Sequence, residues 1–255
     1  MALRGGEADF ASFTAVRLGS GAVMLIVLSY FFSKKSAYPK GGSWVSAIFL
    51  FAYAICFTFA YLGLSAGTGA LILFGSVQLT MIAVSIVRGE KPRPVEWLGL
   101  ITALGGLVYL VFPGLASPPL NSSLLMAAAG AAWGMYTLRG RGSGDPLTDT
   151  TGNFVRTLPF AAVALFIFLP NFHLSTAGIL LAVLSGAAAS GIGYAIWYRV
   201  LKHHTATRAA VMQLSVPVLV AVLGIVWLGE QATMRLGTAG VLILGGIAIT
   251  VAGKR

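Results

Sequence analysis

The residues of this chain with chemistry to offer are polar and aromatic side chains set inside long apolar runs. Gln213, Ser215 and Pro217 share one run, and Gln78 lies in another between Ser76 and Thr80. Proline lacks an N–H and clashes with the carbonyl four residues back, so Pro217 is expected to free the Gln213 carbonyl. In lipid, a freed carbonyl survives only against protein or a wet cavity. The patch Gln213–Ser215–Pro217 is therefore a candidate ligand contact; its alternative is a kinked helix whose polar groups bond to neighbours. Gln78 carries the same two readings, a cavity lining or a hydrogen bond between helices. Trp133 and Tyr136 are three residues apart, as are Tyr194 and Trp197, which puts each pair on one helix face. Tyr53 stands in the middle of its own run. Aromatic walls with a few polar groups suit a small, partly apolar ligand. Arg156, with Asn153 one turn away, is the most deeply placed charge. It either snorkels to the surface or contacts an anionic group.

Groups that would perform a reaction are not gathered anywhere. All seven acids, Glu7, Asp9, Glu90, Glu96, Asp145, Asp149 and Glu230, fall in connectors or at the ends of apolar runs. No buried carboxylate is offered for a membrane proton relay. His173, His203 and His204 lie in connectors, and the single Cys56 sits in an apolar run, which excludes an internal disulfide. Arg139–Gly144 lacks the Gly-Lys-Ser/Thr ending of a phosphate-binding loop. No cofactor or metal is expected, and an enzyme is not.

The elements that hold these side chains are long. The chain is 57% hydrophobic and 9% charged, with mean hydropathy +0.88. About 20 apolar residues cross a bilayer as a helix. Nine such stretches are expected, at 10–32, 44–62, 67–87, 95–112, 121–138, 150–169, 176–199, 206–228 and 235–252. They lack the alternation of barrel strands, so they are helices. The net charge of +10 is dispersed at helix ends and forms no basic patch for nucleic acid. Its partners are a lipid bilayer and a small molecule, with a homodimer left open.

Connectors set the orientation. Lys34, Lys35, Lys40, Arg88, Lys91, Arg93, Arg139 and Arg141 fall on one side. Arg156, Arg199, Lys202, Arg208, Lys254 and Arg255 join them there. Arg4, Arg17 and Arg235 fall on the other. The positive-inside rule makes the first side cytoplasmic, with the C-terminus inside and the N-terminus outside.

An internal repeat is offset by about 140 residues. Gly89-Glu90 matches Gly229-Glu230, Leu98-Gly99 matches Leu236-Gly237, and Leu104-Gly105-Gly106 matches Leu244-Gly245-Gly246. Arg17 matches Arg156, and Gln78 stands where the second copy has Pro217. The charge rule places the two copies in opposite senses, the inverted-repeat build of many secondary transporters. Residues 1–113 form a first copy of four spans, and 121–255 a second of five.

Phe13-Thr14-Ala15-Val16-Arg17, Gly89-Glu90 with Trp97-Leu98-Gly99, Ala131-Ala132-Trp133-Gly134-Met135-Tyr136 and Leu228-Gly229-Glu230 carry a resemblance. In order and spacing they resemble the drug/metabolite transporter superfamily, in its EamA type of two five-helix repeats. The resemblance implies a truncated five-plus-five bundle without the first helix, and a late start of the chain is the expected reason. It implies an inner-membrane carrier, often an exporter, of an amino-acid-like or drug-like solute, working by alternating access. The alternatives are an integral membrane enzyme acting on lipid, or a membrane subunit that does not transport.

Overall fold

The structure, a computed structural model, describes residues 6–32, 41–64, 66–112, 118–201, 203–228 and 233–252. Lys34, Lys35, Lys40, Lys202, Gly229-Glu230, Arg4, Lys254 and Arg255 lie outside the described residues. The described chain is an all-α bundle whose nine spans follow the nine apolar stretches. The first six helices are α1 Phe10–Phe32, α2 Trp44–Ala60, α3 Ala66–Val87, α4 Pro94–Val111, α5 Leu120–Gly140 and α6 Pro146–Ile167. Then α7 Thr176–Val183, a π-helical segment Leu184–Ile192 and α8 Gly193–Leu201 run on as one span. The next stretch is broken into α9 Ala206–Gln213 and α10 Ser215–Leu228, and α11 Met234–Ala252 closes the order. Phe10–Phe32, Gly67–Val87, Pro146–Ile167, Thr176–Leu201 and Met234–Ala252 are each long and apolar enough to cross a membrane alone.

Several helix starts are set by capping side chains rather than by hydrophobicity. Asp9 accepts the Ala11 and Ser12 N–H groups at 2.9 and 3.0 Å. Ser43, Ser175 and Thr205 accept from the N–H three residues on. At α6, Asp145 accepts the Thr148 N–H and Pro146 fills the first turn. The helix thus begins four residues before the apolar run, with a polar turn outside it. Burial works to raise the Asp9 carboxyl, but hydrogen bonds from Ser12, His173 and Ala11 outweigh it and hold it below the ordinary carboxylate value.

Large side chains such as Val23, Phe31, Leu79, Ile101, Phe166 and Val241 are exposed on the outside of the bundle. So broad an apolar exterior is a lipid-facing surface. Inside, Leu18, Leu25, Leu50, Met81, Met126, Tyr136 and Phe154 form the main core. A smaller core of Leu100, Ala103, Leu107, Leu214 and Ile243 joins α4, α9 and α11.

Helices close up where glycines meet. A Cβ on Gly246 would lie 2.5 Å from the Gly99 carbonyl oxygen and 2.7 Å from the Ala103 nitrogen, while Gly106 faces Leu242 and Ile243. Partner numbers fall as α4 rises, so α4 and α11 cross antiparallel. The α1–α6 pair runs the same way: Gly21 faces Phe154, and Ser29 Oγ meets Thr151 Oγ1 at 2.7 Å. Small residues let backbones approach where lipid gives no hydrophobic drive. Gly246→Val is expected to destabilise the fold by about 1–3 kcal/mol, the usual cost of overpacking. Gly245 has nothing within 4 Å of a Cβ, so Gly245→Ala should stabilise slightly, by up to about 1 kcal/mol. Thermal unfolding of both variants in detergent checks the contrast.

Candidate functional site

Helices α1, α2, α3, α5, α8, α9 and α10 and the π-helical segment surround a cavity of about 410 Å³, within the range of small-molecule sites. Of the residues singled out from sequence, Tyr53, Trp133, Tyr194, Trp197, Gln213 and Ser215 line it. Trp133 is the hub of its aromatic wall. Its ring lies 5.1 Å from Tyr53, 4.9 Å from Tyr194 and 5.9 Å from Tyr136. Its Nε1 donates to Gln213 Oε1 at 2.5 Å, tying α5 to α9. Gln213 Nε2 lies 3.4 Å from Met81 Sδ, a weak acceptor.

Gly130 and Gly134 bring α5 against α3: a Cβ on Gly130 would meet Leu73 and Ser76, and one on Gly134 would meet Thr80 and Met81. That approach presents Trp133 to the cavity from between α2 and α3. Tyr136, one turn on, is buried behind Trp133 and Tyr194. Its hydroxyl accepts from Asn153 Nδ2 at 3.4 Å, and Asn153 Oδ1 accepts the Ser43 N–H at 2.8 Å. Tyr136 and Asn153 therefore support the wall from outside the lining.

Arg156 is occupied elsewhere. It donates to the Gly41 and Gly152 carbonyls at 2.7 and 2.9 Å and lies 5.9 Å over the Trp44 ring. It fastens the start of α2 to α6 and does not reach the cavity.

The break at the α9–α10 junction differs from the one Pro217 predicts. The Leu214 N–H turns to Val211 O at 3.0 Å instead of the carbonyl four residues back. That carbonyl, of Ala210, accepts from Gln78 Nε2 at 2.6 Å. Pro217 falls in the first turn of α10, where a missing N–H costs nothing. Gln78 is thus a buried strut between α3 and α9 rather than a lining group. Its Oε1 is buried with no hydrogen-bond partner among the described residues.

Arg17 and Ser190 are lining residues that the sequence reading leaves out. Arg17 Nε donates to Ser190 Oγ, and an Nη donates to the Tyr53 hydroxyl, both at 3.3 Å. Its guanidinium lies 5.6 Å from the Tyr53 and Phe57 ring centres. The π-helical segment makes this meeting, since a Cβ on Gly186 would collide with the Arg17 carbonyl and the Ser20 hydroxyl. Ser190 Oγ donates to the Ser185 carbonyl five residues back, a spacing the wide π turn supplies. The signal in the sequence was the depth of Arg17, about two turns into α1, and its match to Arg156.

Fold and site together define a polytopic helical membrane protein with a ligand-sized cavity at the meeting point of its helices. Residues 120–252 match the EamA-like transporter family. The chain is 50% identical over 251 residues to Uncharacterized protein PA1977 of Pseudomonas aeruginosa, across 98% of this chain and 87% of that one. An Archaeoglobus fulgidus protein named as an uncharacterized transporter is 25% identical over 243 residues, 89% and 83% of the two chains. The threonine/homoserine exporter RhtA of Salmonella typhimurium is 26% identical over 191 residues, 68% and 63% of the two chains. A solved crystal structure superimposes with a TM-score of 0.81 over 96% of this chain and 88% of that one; at 22% identity this shows the fold. The chain belongs to the EamA-like transporter family and is an integral membrane transporter.

Proposed function

We propose that the protein is a secondary carrier that moves one small metabolite by alternating access between two inverted halves, residues 1–113 and 121–255. The observation that carries this reading is the cavity itself, walled by α1, α2 and α3 of the first half and by α5, α8, α9 and α10 of the second. Antiparallel crossing of α4 with α11 and of α1 with α6 supports the inverted arrangement. The balance of Lys and Arg supports a cytoplasmic C-terminus, and the bacterial relatives support a bacterial-type inner membrane. The exporter name of the Salmonella relative supports efflux of an amino-acid-like solute.

At the end of the bundle where α3 meets α4, the halves are joined by ion pairs. Glu90 pairs with Arg141, and Glu96 with Arg208 at 3.1 Å. Glu90 also accepts the Ala206 N–H at 3.3 Å. These contacts would part when that end opens, while the cavity walls rearrange around the solute.

Purified protein in liposomes, challenged with a panel of radiolabelled amino acids and drug-like solutes, tests the reading. Saturable flux that trans-solute accelerates is expected for at least one compound. Lipid turnover without solute flux would replace the carrier with a lipid-modifying enzyme.

A further inference from the structure

We infer that Arg17 is the anion-recognition residue of the central cavity, and that the solute it selects carries a carboxylate. The inference deepens the carrier reading and rests on it.

A guanidinium at membrane depth is costly unless something compensates it. Both ion pairs among the described residues, Arg141–Glu90 and Arg208–Glu96, lie away from the cavity lining. No carboxylate of the described residues comes within ion-pair distance of Arg17. What holds it is neutral: two hydroxyls at 3.3 Å and two aromatic faces. Cation–π contacts stabilise a cation without cancelling its charge. They also fix the plane of the guanidinium, so its unused N–H groups form a rigid fork. Such a fork matches a carboxylate with two parallel hydrogen bonds.

The rest of the wall suits what a small carboxylate would bring with it. Phe74, Trp133, Met212 and Val216 give an apolar surface for a side chain. The Tyr53, Trp133 and Tyr194 rings offer faces for an α-ammonium, which finds no acidic partner among the lining residues. Arg17, the one cation among the described lining residues, sets the charge the site accepts at one negative unit, so a monocarboxylate fits better than a dianionic phosphate.

Tryptophan fluorescence in detergent reads binding without the membrane leak of neutral analogues. Probes are monocarboxylic acids, with and without an α-amino group, each against its amide, plus inorganic phosphate. Wild type should bind at least one acid about tenfold or more tighter than its amide, the effect of one charge-assisted contact. Arg17→Gln should erase that preference and raise the KM for the acid in liposomes by a similar factor. Arg17→Lys should restore part of it.

An amide bound as tightly as its acid by the wild-type protein would overturn the assignment, whether or not Arg17→Gln folds. So would phosphate binding in preference to every carboxylate, or acid selectivity surviving in Arg17→Gln. In those cases wild-type flux still stands, and the carrier reading with it. Absence of flux and of binding for every compound would take down both.

Discussion

Trp133→Ala is expected to remove most solute flux and to destabilise the bundle by about 3 kcal/mol, the low end for truncating a packed aromatic. The low end applies because one face of the ring borders the cavity. On the other side the ring touches Tyr53, Tyr194 and Tyr136, and these walls lose their common neighbour. Gln213 Oε1 loses the Trp133 N–H and becomes an unpaired acceptor on α9, next to the break at Leu214. Trp133→Phe separates the two contributions. It keeps an aromatic face for the solute but not the N–H, so stability should fall by only about 1 kcal/mol, the net worth of one hydrogen bond. Flux should then persist with a raised KM. Thermal unfolding in detergent, read beside flux in liposomes, measures both quantities. Wild-type kinetics in the two variants would take Trp133 out of the binding surface.

The nine spans were legible because each must satisfy its backbone internally across about 30 Å of hydrocarbon, a demand written locally in composition. Even α5, rich in Ala and Gly, has its reason in the fold. It is packed on both α2 and α3, and Ala129, Gly130, Ala132 and Gly134 buy close approach there instead of lipid contact. Helix starts moved where a cap lay outside the apolar run, as Asp145 does for α6.

Polar side chains were harder to read, because their partners stand on other helices. Arg17 and Arg156 match in the repeat, yet one lines the cavity and the other fastens Gly41. Their depth in the chain gives no hint of which. Gln78 and Pro217 are matched positions too, and neither lies on the lining. The break they attend is at Leu214, where a single N–H changes its acceptor. Aromatic pairs fared differently. Trp133, Tyr194 and Trp197 reach the cavity, while Tyr136, on the same helix face as Trp133, is buried behind them.

Glu96→Gln is expected to weaken the closed form of the α3–α4 end by about 3–5 kcal/mol, the cost of leaving a buried ion without its partner. The pair is well enclosed, with side-chain exposures of 11% for Arg208 and 6% for Glu96. Glutamine keeps the acceptor that caps α4, where Glu96 Oε2 takes the Arg93 N–H at 2.9 Å. The oxygen that faces Arg208 becomes an amide NH2, so the charge and the acceptor on that side are both removed. Arg208 is then held between α4 and α9 with no carboxylate partner among the described residues, a state relieved when the two helices part. A few kcal/mol moves a two-state equilibrium more than a hundredfold. A cysteine at Thr207, buried on α9 beside Arg208, should therefore react faster with a membrane-impermeant thiol reagent. The background carries Cys56→Ser so that no other thiol responds. Adding Arg208→Met removes the orphaned charge along with its partner, and labelling should return toward the slow rate of the parent. Equal labelling in the parent and in Glu96→Gln would mean that this pair does not hold the end shut. Fast labelling that persists in the double variant would mean that lost packing, not an unpaired charge, had opened it.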